Sequence, residues 1–207
     1  MLGYKKVIAT VHIDLGYFEK VTKLGFSEAK TDFGRFSDAV CGEMERLRTY
    51  VYDCLPYVSR FPTAEETRRL KGRQRFYYAL AALPRFNVRL GRLVRDPRTG
   101  QFRQKGVDTL MASDIAHVIS SGEVDAIVII SGDGDLVPVV QEAKDAGIRT
   151  IVYHRDCYDE QGHPRTKASW ELLAACDEVR LIDSRLIDST RLSVRRNTRE
   201  EVHAGQT

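Results

Sequence analysis

The run Ala126-Ile127-Val128-Ile129-Ile130, followed at once by Ser131-Gly132-Asp133-Gly134-Asp135, constrains the fold more than any other stretch. Consecutive apolar, mostly β-branched residues suit a strand covered on both faces inside a parallel sheet. Gly132 and Gly134 allow a tight turn, Asp135 occupies the expected N-cap of a following helix, and Pro138 falls inside its first turn, where a missing N–H is tolerated. Asp133 and Asp135 are therefore expected to leave the carboxyl end of a central strand together, the end at which open α/β sheets bind ligands. Two carboxylates so close repel unless one is protonated or a cation lies between them.

The same pattern opens the chain. Residues 6–14 read as a β-branched strand ending on Asp14, and 15–24 as a short helix. Asp32 caps a helix whose Phe33, Phe36, Val40, Met44 and Leu47 recur at helical spacing, which predicts an extent to about Leu47. Tyr50-Val51-Tyr52 then forms a second strand closing on Asp53. Thr63-Ala64-Glu65-Glu66 has the form of a capping box and opens a helix to about Leu83, with Leu70, Tyr77 and Leu80 inward and Arg68, Lys71 and Arg75 outward.

Residues 86–94 read as a strand near a sheet edge, turned by Asp96-Pro97-Arg98-Thr99-Gly100 into a hairpin with 101–105. A helix follows from Gly106-Val107-Asp108 to about Ser120, and Asp114 interrupts its apolar stripe. After the central strand come a helix over 136–146 stopped by Gly147, a strand over 148–153, a short helix over 168–175 and an edge strand over 178–182. This alternation predicts an α/β fold, a mainly parallel central sheet between helical layers, filling one domain over 1–189. The polar remainder, 190–207, is expected to be a disordered tail.

Charge narrows the partner. Twelve basic residues and a single acid, Asp96, lie between Arg68 and Lys105. That segment carries a net +11, so the rest of a chain whose total is +3 carries −8. Such segregation points to a polyanion such as nucleic acid, since a basic surface neutralises phosphates and releases their counterions. No apolar run approaches the roughly 20 residues of a membrane helix. Cys41, Cys54, Cys157 and Cys176 show no paired spacing, so we expect neither structural zinc nor disulfides, and a cytoplasmic protein with no membrane partner.

If the two acid-tipped strands are neighbours, Asp14, Asp133 and Asp135 converge, and the helix opening at Asp108 brings a fourth carboxylate. Oxygen donors of this kind suit the hard ions Mg²⁺ and Mn²⁺. A calcium loop does not fit, because the twelfth residue counted from Asp133 is Lys144 and from Asp135 is Ala146, where glutamate is needed. Nor does a dinucleotide fingerprint, with Val137 in place of its third glycine.

Lys105-Gly106-Val107-Asp108, the acid at Asp114, the segment Ser131 through Pro138, and Leu172-Leu173-Ala174-Ala175-Cys176-Asp177-Glu178 are similar, in order and spacing, to the NYN family of PIN-like nuclease domains. The resemblance implies a three-layer α/β/α PIN-like fold and metal-dependent cleavage of RNA to a 5′-phosphate and a free 3′-hydroxyl. It assigns metal binding to Asp14, Asp108, Asp133 and Asp135, with Asp114, Ser131 and Lys105 in support. The family follows its first acid with Gly-x-Asn, whereas Asp14 is followed by Leu15-Gly16-Tyr17. In this reading the basic segment, with Arg68, Lys71, Arg75, Arg89, Arg92 and Arg103 as contacts, guides single-stranded RNA towards the acids. The rival reading is an RNA-binding or partner-docking module that keeps the fold without the reaction; homo-oligomerisation is left open.

Overall fold

The computed structural model describes residues 6–95 and 102–192, with the backbone alone at 94–95 and 102–105. The first half runs β1 (Ile8–Asp14), α1 (Leu15–Gly25), α2 (Phe33–Cys41), β2 (Glu45–Cys54), α3 (Ala64–Ala81), β3 (Phe86–Arg95) and β4 (Phe102–Lys105). The second runs α4 (Val107–Ser121), β5 (Ala126–Ile130), a 3-10 turn (Gly134–Leu136), α5 (Val137–Asp145) and β6 (Arg149–His154). A small ribbon of β7 (Cys157–Tyr158) and β8 (Pro164–Thr166) precedes α6 (Trp170–Ala175), β9 (Glu178–Leu181) and α7 (Ser184–Ser189).

The main sheet has the order β4-β3-β2-β1-β5-β6-β9. Every neighbouring pair is parallel except β3 with β4. Successive strands step outward from β1 in one direction through β2 and β3, then from β5 in the other through β6 and β9. The winding reverses between β1 and β5, and the carboxyl ends of strands at such a reversal are where open α/β sheets bind ligands.

Two apolar layers close on the sheet. On one face Ala9, Val11 and Ile13 of β1 meet Phe18 and Val21 of α1, Phe36 and Val40 of α2, and Ile187 of α7. On the other, Ile127 and Ile129 of β5 meet Met111 and Ile115 of α4, Val140 of α5 and Leu172 of α6. All five residues of β5 are buried, as the unbroken apolar run requires of a strand covered twice. The fold is thus the expected three-layer α/β/α arrangement. Among the described residues no helix is long and apolar enough to cross a membrane.

One helix boundary needs adjustment. α2 stops at Cys41, because Gly42 adopts φ 61° and turns the chain away from the helix. Met44 and Leu47 belong instead to the approach and start of β2 and pack against opposite layers, which is strand behaviour. The β3–β4 hairpin is present, pairing Arg92 with Lys105 through Arg95 with Phe102, while its proposed turn lies outside the described residues. Beyond α7, Arg191 bridges to Thr31 and the Leu192 N–H donates to the Lys30 carbonyl at 2.8 Å, so the packed region continues past 189. The remainder of the expected tail lies outside the described residues.

Candidate functional site

Asp14 ends β1 and caps α1, its carboxylate accepting the Tyr17 N–H at 3.0 Å. In register it lies level with Tyr52 of β2, and one step past the pairing of Ile13 with Ile130 of β5. The chain leaves β5 through buried Ser131, whose Oγ accepts the Asp133 N–H at 3.2 Å. Asp133, rather than Asp135 as expected, then serves as the cap: its carboxylate accepts the Asp135 N–H at 2.9 Å and starts the 3-10 turn that runs into α5. That extra turn displaces the helix start beyond Asp135 and leaves the Asp135 side chain exposed.

The glycines of this loop are required by proximity, since neither takes a positive φ. A Cβ on Gly132 would come 2.8 Å from Cε2 of Tyr17 and 3.1 Å from the Ala168 backbone, and one on Gly134 would come 2.9 Å from Oγ of Ser169. The loop is therefore pressed between α1 and the start of α6. On its other side Gly106, at φ 89°, turns the chain into α4 and places Asp108 in the first helical turn.

The four predicted aspartates are linked electrostatically through Asp108. Burial pushes the Asp14 carboxyl up from 3.8 to about 6, reinforced by the negative charges of Asp108 and Asp53 against the Tyr17 N–H and Lys20. Asp108 is likewise raised, by burial first and then by Asp133 and Asp135. Among the described residues none of the four has a salt-bridge partner. Mutual repulsion of this kind is relieved by a proton or by a cation.

Asp114 stands apart from that group. It receives Nε and Nη2 of Arg89 at 2.9 and 3.2 Å, and its charge acts on Tyr50 and Tyr52. Beneath it His12 is wholly buried, with Nδ1 2.9 Å from the Tyr52 hydroxyl and Nε2 3.1 Å from Oγ1 of Thr10. Burial drives its pKa down to about 3, so this is a neutral, satisfied core imidazole. Arg68, Lys71, Arg75, Arg89 and Arg92 are all exposed, whereas the side chains of Arg103 and Lys105 lie outside the described residues.

A second acidic node had no counterpart among the sequence-derived site residues. Asp53, near the end of β2, accepts from its own Cys54 N–H at 2.7 Å, from the Tyr77 hydroxyl at 2.8 Å, and from Arg73. The same Arg73 guanidinium holds Glu19 of α1 through both of its outer nitrogens. The only sequence signal was a strand closing on an acid, the feature already noted at Asp14.

The NYN domain profile matches residues 13–183. The chain belongs to the NYN family. NYN domains are PIN-like nucleases, hydrolases as a class, and typically use divalent metal ions. No curated protein matches the sequence. Among solved structures the chain is similar to a protein of unknown function from Vibrio parahaemolyticus, with 19% identity, 93% of this chain and 100% of that one covered, and a TM-score of 0.59, a likeness of fold alone. A larger Parabacteroides merdae chain named for oxidoreductase activity shares 12% identity over 85% of this chain and 31% of that one at TM-score 0.30, too little for argument.

For an NYN domain the question is whether the acids suit a divalent ion. By chemistry they do: Asp14, Asp108, Asp133 and Asp135 offer only hard oxygen donors whose charges repel. Among the described residues no three His, Cys, Asp or Glu side chains already surround a common point. An ion would have to draw the carboxylates inward. Tyr17, three residues after Asp14, is held by its own contacts, its hydroxyl accepting the Arg155 N–H at 3.0 Å.

Proposed function

We propose that this NYN domain is a divalent-metal-dependent endoribonuclease acting on single-stranded RNA. The observation that supports the reading is the group of aspartates at the β1–β5 switch point, in which Asp14 feels the charge of Asp108, and Asp108 that of Asp133 and Asp135, with no salt-bridge partner among the described residues. Asp14, Asp108, Asp133 and Asp135 would hold Mg²⁺ or Mn²⁺, which when bound would offset phosphate charge and make water more acidic. The protein's own groups do the rest. Ser131 and the Asp135 N–H fix the loop and the Asp133 rotamer, and the Tyr17 N–H fixes that of Asp14. The exposed cations of α3 and β3 bind the RNA backbone, and Asp114 supports the site indirectly through Arg89 and Tyr52. No Ser, His or Cys nucleophile is needed, in keeping with a wholly buried His12.

The test is cleavage of a labelled generic single-stranded RNA with Mg²⁺ or Mn²⁺, comparing wild type with Asp133→Asn. Cleavage falls beyond the roughly 100-fold expected from losing a mere supporting partner, while RNA binding is retained. The binding-module reading, favoured by Tyr17 and by the carboxylates' open spacing, takes over if wild type and variant leave the RNA equally intact under every metal tried.

A further inference from the structure

We propose that the outward stripe Arg68, Lys71, Arg75 and Tyr78 of α3 is a platform for single-stranded RNA, with the three cations on the backbone phosphates and a base stacked on the Tyr78 ring. The inference deepens the RNA-cleaving reading and rests on it.

At 3.6 residues per turn, positions 68, 71, 75 and 78 fall within about 80° of one another around the helix, along roughly 15 Å of its length. All four are exposed, and Tyr78 is 76% accessible, high for an aromatic side chain that could have packed as its neighbour Tyr77 does at 5%. Among the described residues Arg68, Lys71 and Arg75 take part in no salt bridge, whereas Arg73 on the opposite face is wholly engaged by Glu19 and Asp53. The charges of the stripe are thus available to an external anion.

Gly72 adds a feature the protein's own packing does not explain. Glycine destabilises a helix interior, yet a Cβ here would meet nothing within 4 Å. The gap borders the stripe and lets a nucleic-acid backbone approach the helix closely. An exposed ring beside spaced cations is the arrangement that suits unstacked bases, because every base presents a π face while a duplex hides it.

The platform is also fixed relative to the acids. On the inner face of α3, Arg73 and Tyr77 are bonded to Asp53, and Asp53 stands close enough to Asp14 to act on its charge. A strand lying along the stripe is held at a set distance from the carboxyl end of β1.

The experiment measures anisotropy of a labelled single-stranded oligoribonucleotide and its duplex with the full chain carrying Asp133→Asn, in chelator, so that no cleavage intervenes. Tyr78→Ala weakens single-strand binding about tenfold, leaves duplex binding within twofold and leaves the salt slope unchanged, while Tyr78→Phe restores affinity. Lys71→Ala reduces the slope of log affinity against log salt by about 0.7, and the triple alanine variant of Arg68, Lys71 and Arg75 by about 2. Melting curves establish that these surface variants are folded. A neutral Tyr78→Ala, an equal loss on duplex, or a triple variant with the wild-type slope overturns the platform. Because binding is read without turnover, failure of the cleavage assay refutes only the nuclease reading, and failure here refutes only the platform.

Discussion

Asp14 and Asp53 belong to neighbouring parallel strands, near carboxyl ends that lie side by side, yet one is surrounded by other acids and the other by a guanidinium. Around Asp14 burial, with the charges of Asp108 and Asp53, outweighs the Tyr17 N–H and Lys20, and its proton affinity rises. Around Asp53, which is 4% exposed, Arg73, Tyr77 and a backbone N–H satisfy both oxygens. The difference follows from the face each strand position presents. Tyr52 and Asp14 point to the side covered by α4, whose first turn brings an acid; Val51 and Asp53 point to the side covered by α3, which brings a cation. Similar local sequence therefore yields an open, repelling cluster in one place and a closed structural pair in the other.

The largest effect expected of this contrast is on stability. Removing one partner of a buried pair leaves the other charged and unsolvated, which costs about 3–5 kcal/mol. Arg73→Met should therefore destabilise the fold by about that much, since it strands the buried Asp53, whereas exposed Glu19 returns to solvent. Asp133→Asn, which removes a charge from the open cluster, should leave the metal-free protein as stable or slightly more so. Urea denaturation of the two variants checks this, and equal destabilisation would erase the distinction between the nodes.

How far the sequence reveals this contrast depends on the range of the contact involved. The acid-tipped strands, the Thr63–Glu66 capping box and the buried β5 are legible because each rests on period or on neighbours a few residues apart. The Arg73 node is not, because its partners lie 20 and 54 residues away and the same arginine reads equally well as part of a solvated basic run. Residues 42–47 mislead for a different reason: Met44 and Leu47 satisfy a helical spacing, but Gly42 ends the helix and the two apolar side chains serve opposite faces of the sheet. The aspartate cluster could be anticipated as a convergence of strand ends, while the capping role of Asp133 depends on a 3-10 turn that the local sequence does not announce.

A smaller effect sharpens the comparison through pH. The folded-state pKa of Asp14 is raised from 3.8 to about 6, so the folded protein holds this proton more tightly than the unfolded chain. Its contribution is fully present below about pH 4 and is lost as pH rises through about 6. With allowance for partial exposure, the metal-free protein should lose about 2 kcal/mol from this group between those limits. Asp108 acts in the same direction. Denaturant titrations in chelator at about pH 4 and pH 7.5 test it, with Asp14→Asn flattening the difference.

The smallest effect concerns Asp114, which falls between the two classes. Its bidentate bond to Arg89 gives it a cation, as at Asp53, but the Arg89 side chain is 44% exposed and solvent weakens the pair. Such a pair contributes under about 1 kcal/mol, so Asp114→Asn should barely alter the denaturation midpoint. The same residue faces Tyr52, which pairs with Asp14 in the sheet, and so can influence the acidic group only through an intervening ring. Cleavage by Asp114→Asn should accordingly fall less than about tenfold, well short of the loss in Asp133→Asn. A loss equal to that of Asp133→Asn would place Asp114 with the open cluster despite its arginine. Possession of a cation partner would then no longer separate structural acids from reactive ones in this sheet.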